Sequence, residues 1–205
     1  MAVIKTALEI ALERTQSVKS DKSGIEQFDA KQKGKKLANS YLAGEADLAE
    51  EIKKTPDLQK ESLKNGVFDV LLSQISLPVN NPRDNEKNEG FSEDKRIELI
   101  GKGLSLIIKD KKFAVLYQQL VQVYARFSQE SAQYEQLIRQ QYAPKLRQKE
   151  EELSRRLGRE IRIDPMQDPE FVTFHNQHMN ALKGNYEPVI EQVKDETRKM
   201  YENIK

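Results

Sequence analysis

A long run of apolar side chains at alternating steps of four and three residues dominates this sequence. It begins after Asp110 and comprises Phe113, Tyr117, Leu120, Tyr124, Phe127, Ser131, Tyr134 and Ile138. This heptad spacing places the residues along one side of an α-helix. Leu116, Val123 and Leu137 widen the apolar side. The sequence therefore predicts a long helix whose seam must pack against another helix.

The length of this helix sets the expected architecture. After Ile138 the apolar spacing changes phase, and Pro144 removes the backbone hydrogen bond that would reach back to Gln140. We therefore expect a kink near Gln140. A helix over about 111–157 would be about 70 Å long, whereas a compact globule of 205 residues has a diameter of about 43 Å. The sequence thus predicts an all-α, elongated protein built on a long kinked helix.

The C-terminal part of the chain supplies a partner for that helix. Gly158 is suited to ending it, and Arg159 to Asp164 alternates isoleucines with charged residues, which fits a lone strand or an extended hinge. Asp168-Pro169-Glu170 is typical of a helix start, and Gly184 is expected to end that helix. A final helix carries a second seam at Tyr186, Val189, Val193, Thr197, Met200 and Ile204. Two seams joined by a bend predict an antiparallel, coiled-coil-like hairpin.

Residues 1–77 are predicted to form an N-terminal helical region. A first helix is expected over about 3–17, and the polar run Ser17 to Ser23 is expected to interrupt it. A second helix, weakened by Gly34, is expected to end near Gly44. Thr55-Pro56-Asp57 predicts the N-cap, first helical residue and acidic first turn of a further helix.

A polar segment separates this region from the rest of the chain. Residues 78–91 contain prolines, asparagines and charges without a helical period, and we predict a mobile loop there. Residues 92–205 are then the long helical hairpin region, with Ser92 as an expected N-cap. We expect this region to form one structural unit with residues 1–77. Leu104 to Ile108 fits either a buried helix or a short strand, and we favour the helix.

Composition excludes several classes of chemistry. The chain has no cysteine, which excludes disulfides, thiol catalysis, thiolate zinc sites and cysteine-ligated iron–sulfur clusters. It has 34 basic and 33 acidic side chains and a formal net charge of +1, so its overall charge favours neither nucleic acid nor membrane. No apolar stretch has the length of a signal peptide or a membrane span, and we expect a cytoplasmic protein without membrane contact.

The two histidines are the first candidate for a site. His175 and His178 lie three residues apart, which on a helix brings both imidazoles to one side. A metal ion would need a further ligand from Asp164, Asp168 or Glu170, and no complete zinc or di-iron motif is present. We therefore predict no metal site and no cofactor, and interpret both histidines as polar residues of a partly exposed helix.

The segment Gly101-Lys102-Gly103-Leu104-Ser105 has some features of a phosphate-binding loop, because glycines let backbone amides approach an anion. Its spacing differs from that of a P-loop, in which the lysine follows the second glycine. We interpret it as a helix that is flexed or closely packed at two glycines. The serines also lack a nucleophile elbow or a histidine partner, so the chain is predicted not to be an enzyme.

Two basic clusters are candidate nucleic-acid contacts. One comprises Lys31, Lys33, Lys35 and Lys36, and the other, the basic stripe at 139–162, comprises Arg139, Lys145, Arg147, Lys149, Arg155, Arg156, Arg159 and Arg162. A stripe of this kind can bind phosphates through counterion release. Glutamates at 150, 151, 152 and 160 lie among its residues, a mixture more typical of a solvated helix surface.

We therefore predict a non-enzymatic helical scaffold, or a protein that binds another protein or itself. The alternative is a nucleic-acid-binding protein that uses the basic stripe at 139–162. Tyr117, Tyr124, Tyr134 and Tyr142 could stack on bases, but their heptad spacing favours core packing. Whether the heptad seam forms an internal core or an interface between molecules is left open by the sequence.

Overall fold

The structure is a computed structural model that describes residues 7–77 and 93–204. Within these ranges it contains six α-helices, one 3-10 turn and no strand. The helices are α1 (Ala7–Leu42), α2 (Leu48–Lys54), α3 (Asp57–Ser73), α4 (Glu93–Ile108), α5 (Lys111–Leu157) and α6 (Pro169–Glu202), and the 3-10 turn is Pro165–Gln167. The all-α prediction is confirmed, and Leu104 to Ile108 lie in a helix as favoured. The predicted mobile loop at 78–91 and the Ser92 cap lie outside the described residues.

Internal contacts divide the helices into two compact units. The first contains α1 to α4. The second contains α5, the 3-10 turn and α6. None of the helices in the described ranges combines the length and apolar character needed to cross a bilayer.

In the first unit, α1 and α3 cross where each presents a glycine. A Cβ atom on Gly34 would overlap the carbonyl oxygen of Leu63, and one on Gly66 would overlap the carbonyl oxygen of Lys31. Because only glycine lets two backbones approach this closely, Gly34 is a packing residue and not simply a weak point of its helix. The buried apolar core around this crossing includes Ala30, Ala38, Leu48, Leu63, Val67, Phe68, Leu71, Ile100, Leu104 and Ile108.

Several helix ends follow their predicted signals. Gly44 and Gly158 have φ values of 78° and 67°, the left-handed conformation that glycine adopts after a helix. The Glu45 N–H donates to the carbonyl of Ser40, and the Gly158 N–H donates to the carbonyl of Ser154. These bonds satisfy carbonyl groups that the helix ends would otherwise leave free.

Three predicted boundaries are wrong. A single helix, α1, covers the predicted helix over 3–17 from Ala7 onward and runs through Ser17–Ser23, because polar residues without proline are tolerated in a helix. Helix α6 likewise continues through Gly184 to Glu202. Thr55 does not cap α3, since it ends α2, where its hydroxyl donates to the carbonyl of Glu51 at 2.8 Å. Helix α3 begins at Asp57, after Pro56.

In the second unit, α5 and α6 pack against each other in antiparallel order. Phe127 contacts Tyr186 with ring centroids 5.2 Å apart, and Tyr142 contacts Phe171 at 5.2 Å. Tyr142 lies 15 residues after Phe127 in α5, whereas its partner Phe171 lies 15 residues before Tyr186 in α6, as antiparallel helices require. The packing explains why α6 passes Gly184, since Tyr186 and the buried Ile190 lie beyond it and must stay on the same helix side.

The predicted heptad seam supplies most of the buried side of α5. Phe113, Leu120, Tyr124, Phe127, Ser131 and Ile138 are buried, as is Leu116 beside them. Tyr134 and Leu137 are exceptions, with exposed fractions of 40% and 50%. Helix α5 is continuous through Pro144 and contains 47 residues, which corresponds to about 70 Å.

Candidate functional site

The chain reverses between α5 and α6, and this turn holds a group of connected polar side chains. Asp164 and Asp168 begin the 3-10 turn and α6. The Asp164 carboxylate accepts from the Met166 N–H at 3.0 Å, and the Asp168 carboxylate accepts from the Glu170 N–H at 3.0 Å. Pro169 is the first residue of α6, as predicted, because proline has no N–H to leave unpaired there.

Asp168 is also the centre of a polar cluster that joins the two long helices. We call Tyr142, Lys145, Lys149, Asp168 and Glu170 the Asp168 cluster. The Asp168 side chain is 4% exposed, and its Oδ2 accepts from Lys149 Nζ at 2.7 Å and from the Tyr142 hydroxyl at 3.1 Å. Its Oδ1 accepts a further bond from Lys149 at 2.9 Å. The buried carboxylate is therefore fully partnered, as a buried charge must be.

Glu170 extends the Asp168 cluster toward solvent. Its Oε2 lies 2.8 Å from Lys145 Nζ and 3.0 Å from Lys149 Nζ. The Lys145 ammonium also lies over the Tyr142 ring, 5.6 Å from the centroid. Two lysines from α5 thus face two carboxylates from the start of α6. The carboxylates also interact favourably with the positive end of the α6 dipole.

These contacts shift the pKa values of the cluster. The hydrogen bond from Lys149 holds the pKa of Asp168 below its ordinary value, against the effect of burial. Lys145 and then Lys149 lower the pKa of Glu170 to about 2. Hydrogen bonds to Asp168 and Glu170 raise the pKa of Lys149. Burial, followed by Asp168, raises the pKa of the Tyr142 hydroxyl. At neutral pH both carboxylates stay ionised, and Asp168 is a weaker proton acceptor than a free carboxylate.

The connection between α5 and α6, residues 159–164, is fixed by side chains of α5. The Ile161 N–H donates to Ser154 Oγ at 3.0 Å, and the Ile163 N–H donates to Glu150 Oε1 at 2.8 Å. Ile161 and Ile163 are partly buried, whereas Glu160, Arg162 and Asp164 are exposed. This alternation matches the extended hinge that the sequence predicts, and residues 159–164 do not form a strand.

A cavity of about 260 Å³ lies beside the Asp168 cluster. It is lined by Lys149, Glu152, Leu153, Arg156, Ile163 and Asp168. Its apolar walls are Leu153 and Ile163, and its two cations are balanced by its two anions. The cavity is smaller than the pockets of about 300–1,000 Å³ that usually enclose small-molecule ligands.

The two histidines lie apart from the Asp168 cluster. His175 Nε2 lies 3.7 Å from Glu135 Oε1, and the His178 ring packs edge-on against Phe174 at 4.4 Å. Among the described residues no group of three or more histidine, aspartate or glutamate side chains is arranged to hold a metal ion. The Asp168 and Glu170 carboxylates, the acidic partners considered for these histidines, are bound to lysines instead.

The basic stripe at 139–162 is partly neutralised. Lys145 and Lys149 belong to the Asp168 cluster, while Arg155 pairs with Glu151 and Arg162 with Glu160. Arg139, Arg147, Arg156 and Arg159 form no ion pair with any residue in the described ranges. In the N-terminal basic cluster, Lys31 pairs with Asp69 at 2.8 Å.

The glycine segment at 101–105 lies inside α4. A Cβ atom on Gly103 would come within 2.7 Å of Leu71 Cδ1, which confirms close packing at one of the two glycines. Lys102 pairs with Glu98 at 2.6 Å, and the Ser105 hydroxyl donates to the carbonyl of Gly101 at 2.8 Å. The segment is regular helix and does not form a loop around an anion.

Sequence reasoning missed the Asp168 cluster, although two signals for it were present. Tyr142 and Lys149 are seven residues apart, and so lie on the same side of α5. Asp168 and Glu170 were identified only as parts of a helix start. The bend between the helices determines which residues of α5 contact the first residues of α6. Local sequence patterns do not give the geometry of this bend, so they did not show that Tyr142 and Lys149 contact Asp168.

Comparison with known proteins places the chain in a family without giving it an activity. No curated protein and no solved structure matches it. One family model matches residues 49–199, a range that begins in α2 and includes the Asp168 cluster, the connection and most of α6. Since this match covers more than half of the chain, the protein belongs to DUF6657, a family of unknown function.

Proposed function

We propose that this chain is a non-enzymatic helical scaffold that binds another protein through the outer surface of the α5–α6 hairpin. One observation carries the proposal. The seam residues Phe127 and Ile138 are 1% and 2% exposed, so the inner side of the hairpin is filled. Leu137 and Leu157 nevertheless remain 50% and 58% exposed on α5, and each has an exposed apolar neighbour about one helical turn away on the same side, Tyr134 and Leu153 respectively. These two exposed apolar pairs on a completed hairpin offer apolar area to a partner.

The state of the polar groups supports a non-enzymatic role. Asp168, the buried carboxylate of the hairpin, is held ionised by Lys149, and no buried side-chain nitrogen or oxygen atom in the described ranges lacks a hydrogen-bond partner. Such groups stabilise a fixed structure, whereas a general acid or base is usually tuned toward the working pH. We also propose coiled-coil-like packing of α5 on α6 and a cytoplasmic location, on the grounds given by the sequence.

The test is capture of a partner by the immobilised protein. The variants Leu137→Glu and Leu157→Glu place a charge on the proposed surface, and we expect each to reduce the bound partner at least tenfold. Gln136→Glu adds the same charge at an exposed neighbouring position and should leave binding unchanged. Equal capture by all four proteins, or no captured protein with the wild type, would contradict the proposal.

A second candidate function is nucleic-acid binding through the basic stripe at 139–162. It is favoured by the four arginines, at positions 139, 147, 156 and 159, that form no ion pair within the described part of the chain. It predicts an affinity for nucleic acid that falls steeply with added salt, and a loss of affinity in Arg147→Gln. An absorbance ratio at 260 and 280 nm typical of pure protein, with no binding at low salt, would exclude it.

A further inference from the structure

The connection at 159–164 has the repeat of an extended strand. Three observations share a spacing of two residues. Ile161 and Ile163 are partly buried while their neighbours are exposed, both isoleucine amides donate to side chains of α5, and the Arg162 guanidinium lies 3.5 Å from the carboxylate of Glu160. A period of two residues is the geometry of a β-strand.

This geometry leaves one edge of the connection without hydrogen bonds. In an extended strand the N–H and C=O groups of successive residues point to opposite edges. The edge of Ile161 and Ile163 is held by Ser154 and Glu150. The backbone groups of Glu160 and Arg162 therefore point away from α5, and they form no hydrogen bond with any residue that the structure describes. A free edge of this kind is a template for pairing with another strand.

We propose that a second copy of this chain docks on this edge, with the two connections paired antiparallel about Ile161. In this register Glu160 of each copy lies opposite Arg162 of the other, so both cross-strand pairs join opposite charges. In each Glu160–Arg162 pair the two residues also exchange two backbone hydrogen bonds, formed by the N–H and C=O groups of the free edge. Ile161 lies opposite itself, at a position where the side chains of two strands approach closely.

The neighbouring register is disfavoured by charge. Pairing about Arg162 would place the two Arg162 side chains opposite each other and Glu160 opposite Asp164, so that each pair joins like charges. Pairing about Glu160 would place the two Glu160 side chains opposite each other, and pairing about Ile163 would place Ile161 opposite Pro165, where the extended backbone ends and the 3-10 turn begins. The order Arg159-Glu160-Ile161-Arg162-Ile163 therefore selects one twofold arrangement and argues for a second copy as the occupant.

This inference goes beyond the proposed function, because it adds a contact with a second copy of the chain that involves neither Leu137 nor Leu157. Two paired strands without a third are marginally stable, so we expect a weak dimer with a dissociation constant on the order of 100 µM. The wild-type protein should therefore change from monomer to dimer as its concentration rises to about 1 mM. Sedimentation equilibrium measures this change directly.

Charge exchange tests the register. Glu160→Arg and Arg162→Glu each place like charges opposite one another in the dimer, and each should weaken dimerisation at least tenfold. The double variant E160R/R162E restores opposite charges and should return the dissociation constant to within about threefold of the wild type. Glu152→Arg and Arg139→Glu make the same charge changes at exposed positions of α5 outside the paired connections, and should dimerise like the wild type. Circular dichroism confirms that every variant is folded.

Three results would overturn the proposal. The first is a wild type that is monomeric at about 1 mM. The second is a double variant as weak as the single ones. The third is a wild type that stays monomeric and captures a different protein, together with an Arg162→Pro variant that no longer captures it. That result would mean that an extended segment of the other protein pairs with the free edge. If the wild type is monomeric but captures a partner that Leu137→Glu does not capture, this inference alone is overturned and the proposed function stands.

Discussion

Lys149 and Asp168 join α5 to the start of α6, with Lys149 Nζ 2.7 Å from the Oδ2 of an aspartate that is 4% exposed. The same carboxylate caps α6 through the Glu170 N–H. One side chain thus begins a helix and also ties that helix to its neighbour. The stability of the hairpin should depend on it.

Asp168 should be the most sensitive polar residue of the hairpin. Asp168→Ala removes both the cap and the counter-ion of Lys149, and we expect it to lower the free energy of unfolding by about 2–4 kcal/mol. Asp168→Asn keeps a capping oxygen and should cost less. Urea denaturation measures both variants.

Asp195→Ala removes an exposed carboxylate that pairs with Arg198 on the same helix, and it should change stability by less than about 0.5 kcal/mol. Equal effects of the variants at 168 and 195 would contradict this reading.

The stability of the hairpin should fall in acid. The pKa values of Asp168 and Glu170 are lower in the folded chain than in the unfolded chain, so their contribution is complete above about pH 5. It is lost as the pH falls from there toward about 2, the pKa of folded Glu170. Urea midpoints measured between pH 7 and pH 2.5 should decline over this window. The decline should be shallower in Lys149→Met, because that variant removes the ammonium that lowers both pKa values.

The seam of α5 should be an internal core of the hairpin. Phe127 is 1% exposed and packs against Tyr186, so Phe127→Ala should lower the free energy of unfolding by about 3–5 kcal/mol. Tyr134→Ala changes a residue of the same heptad pattern that is 40% exposed, and it should cost less than about 1 kcal/mol. A wild-type denaturation midpoint with an unchanged slope for Phe127→Ala would show that this residue is not buried.

The crossing of α1 and α3 should not tolerate a side chain. Gly66→Ala places a methyl group into the backbone of Lys31, and we expect a loss of more than about 3 kcal/mol or separation of the two helices. Gly184→Ala is the matched control in the middle of α6, where a Cβ atom would meet nothing within 4 Å. That variant should be more stable than the wild type by about 0.5–1 kcal/mol. Thermal denaturation of both proteins measures the contrast.

The sequence alone determined that the described chain is all-α and where its longest helix lies. The heptad seam from Phe113 to Ile138 identified α5, and Gly158 and Asp168-Pro169 located its end and the start of α6. These signals are local. They depend on a period of about 3.6 residues and on the backbone groups that helix ends leave free, so they can be read without knowing what the helix contacts.

Tertiary structure decided which of the weaker signals took effect. Gly184 did not end α6, because Tyr186 and Ile190 beyond it pack on the same side as the residues before it. Gly34 became a contact point only because Gly66 of α3 lies across from it. The Asp168 cluster likewise joins residues that are 19 or more positions apart, from Lys149 and Tyr142 to Asp168. Packing over such separations outweighs local propensities of about 1 kcal/mol, which is why the fold was needed to find the cluster.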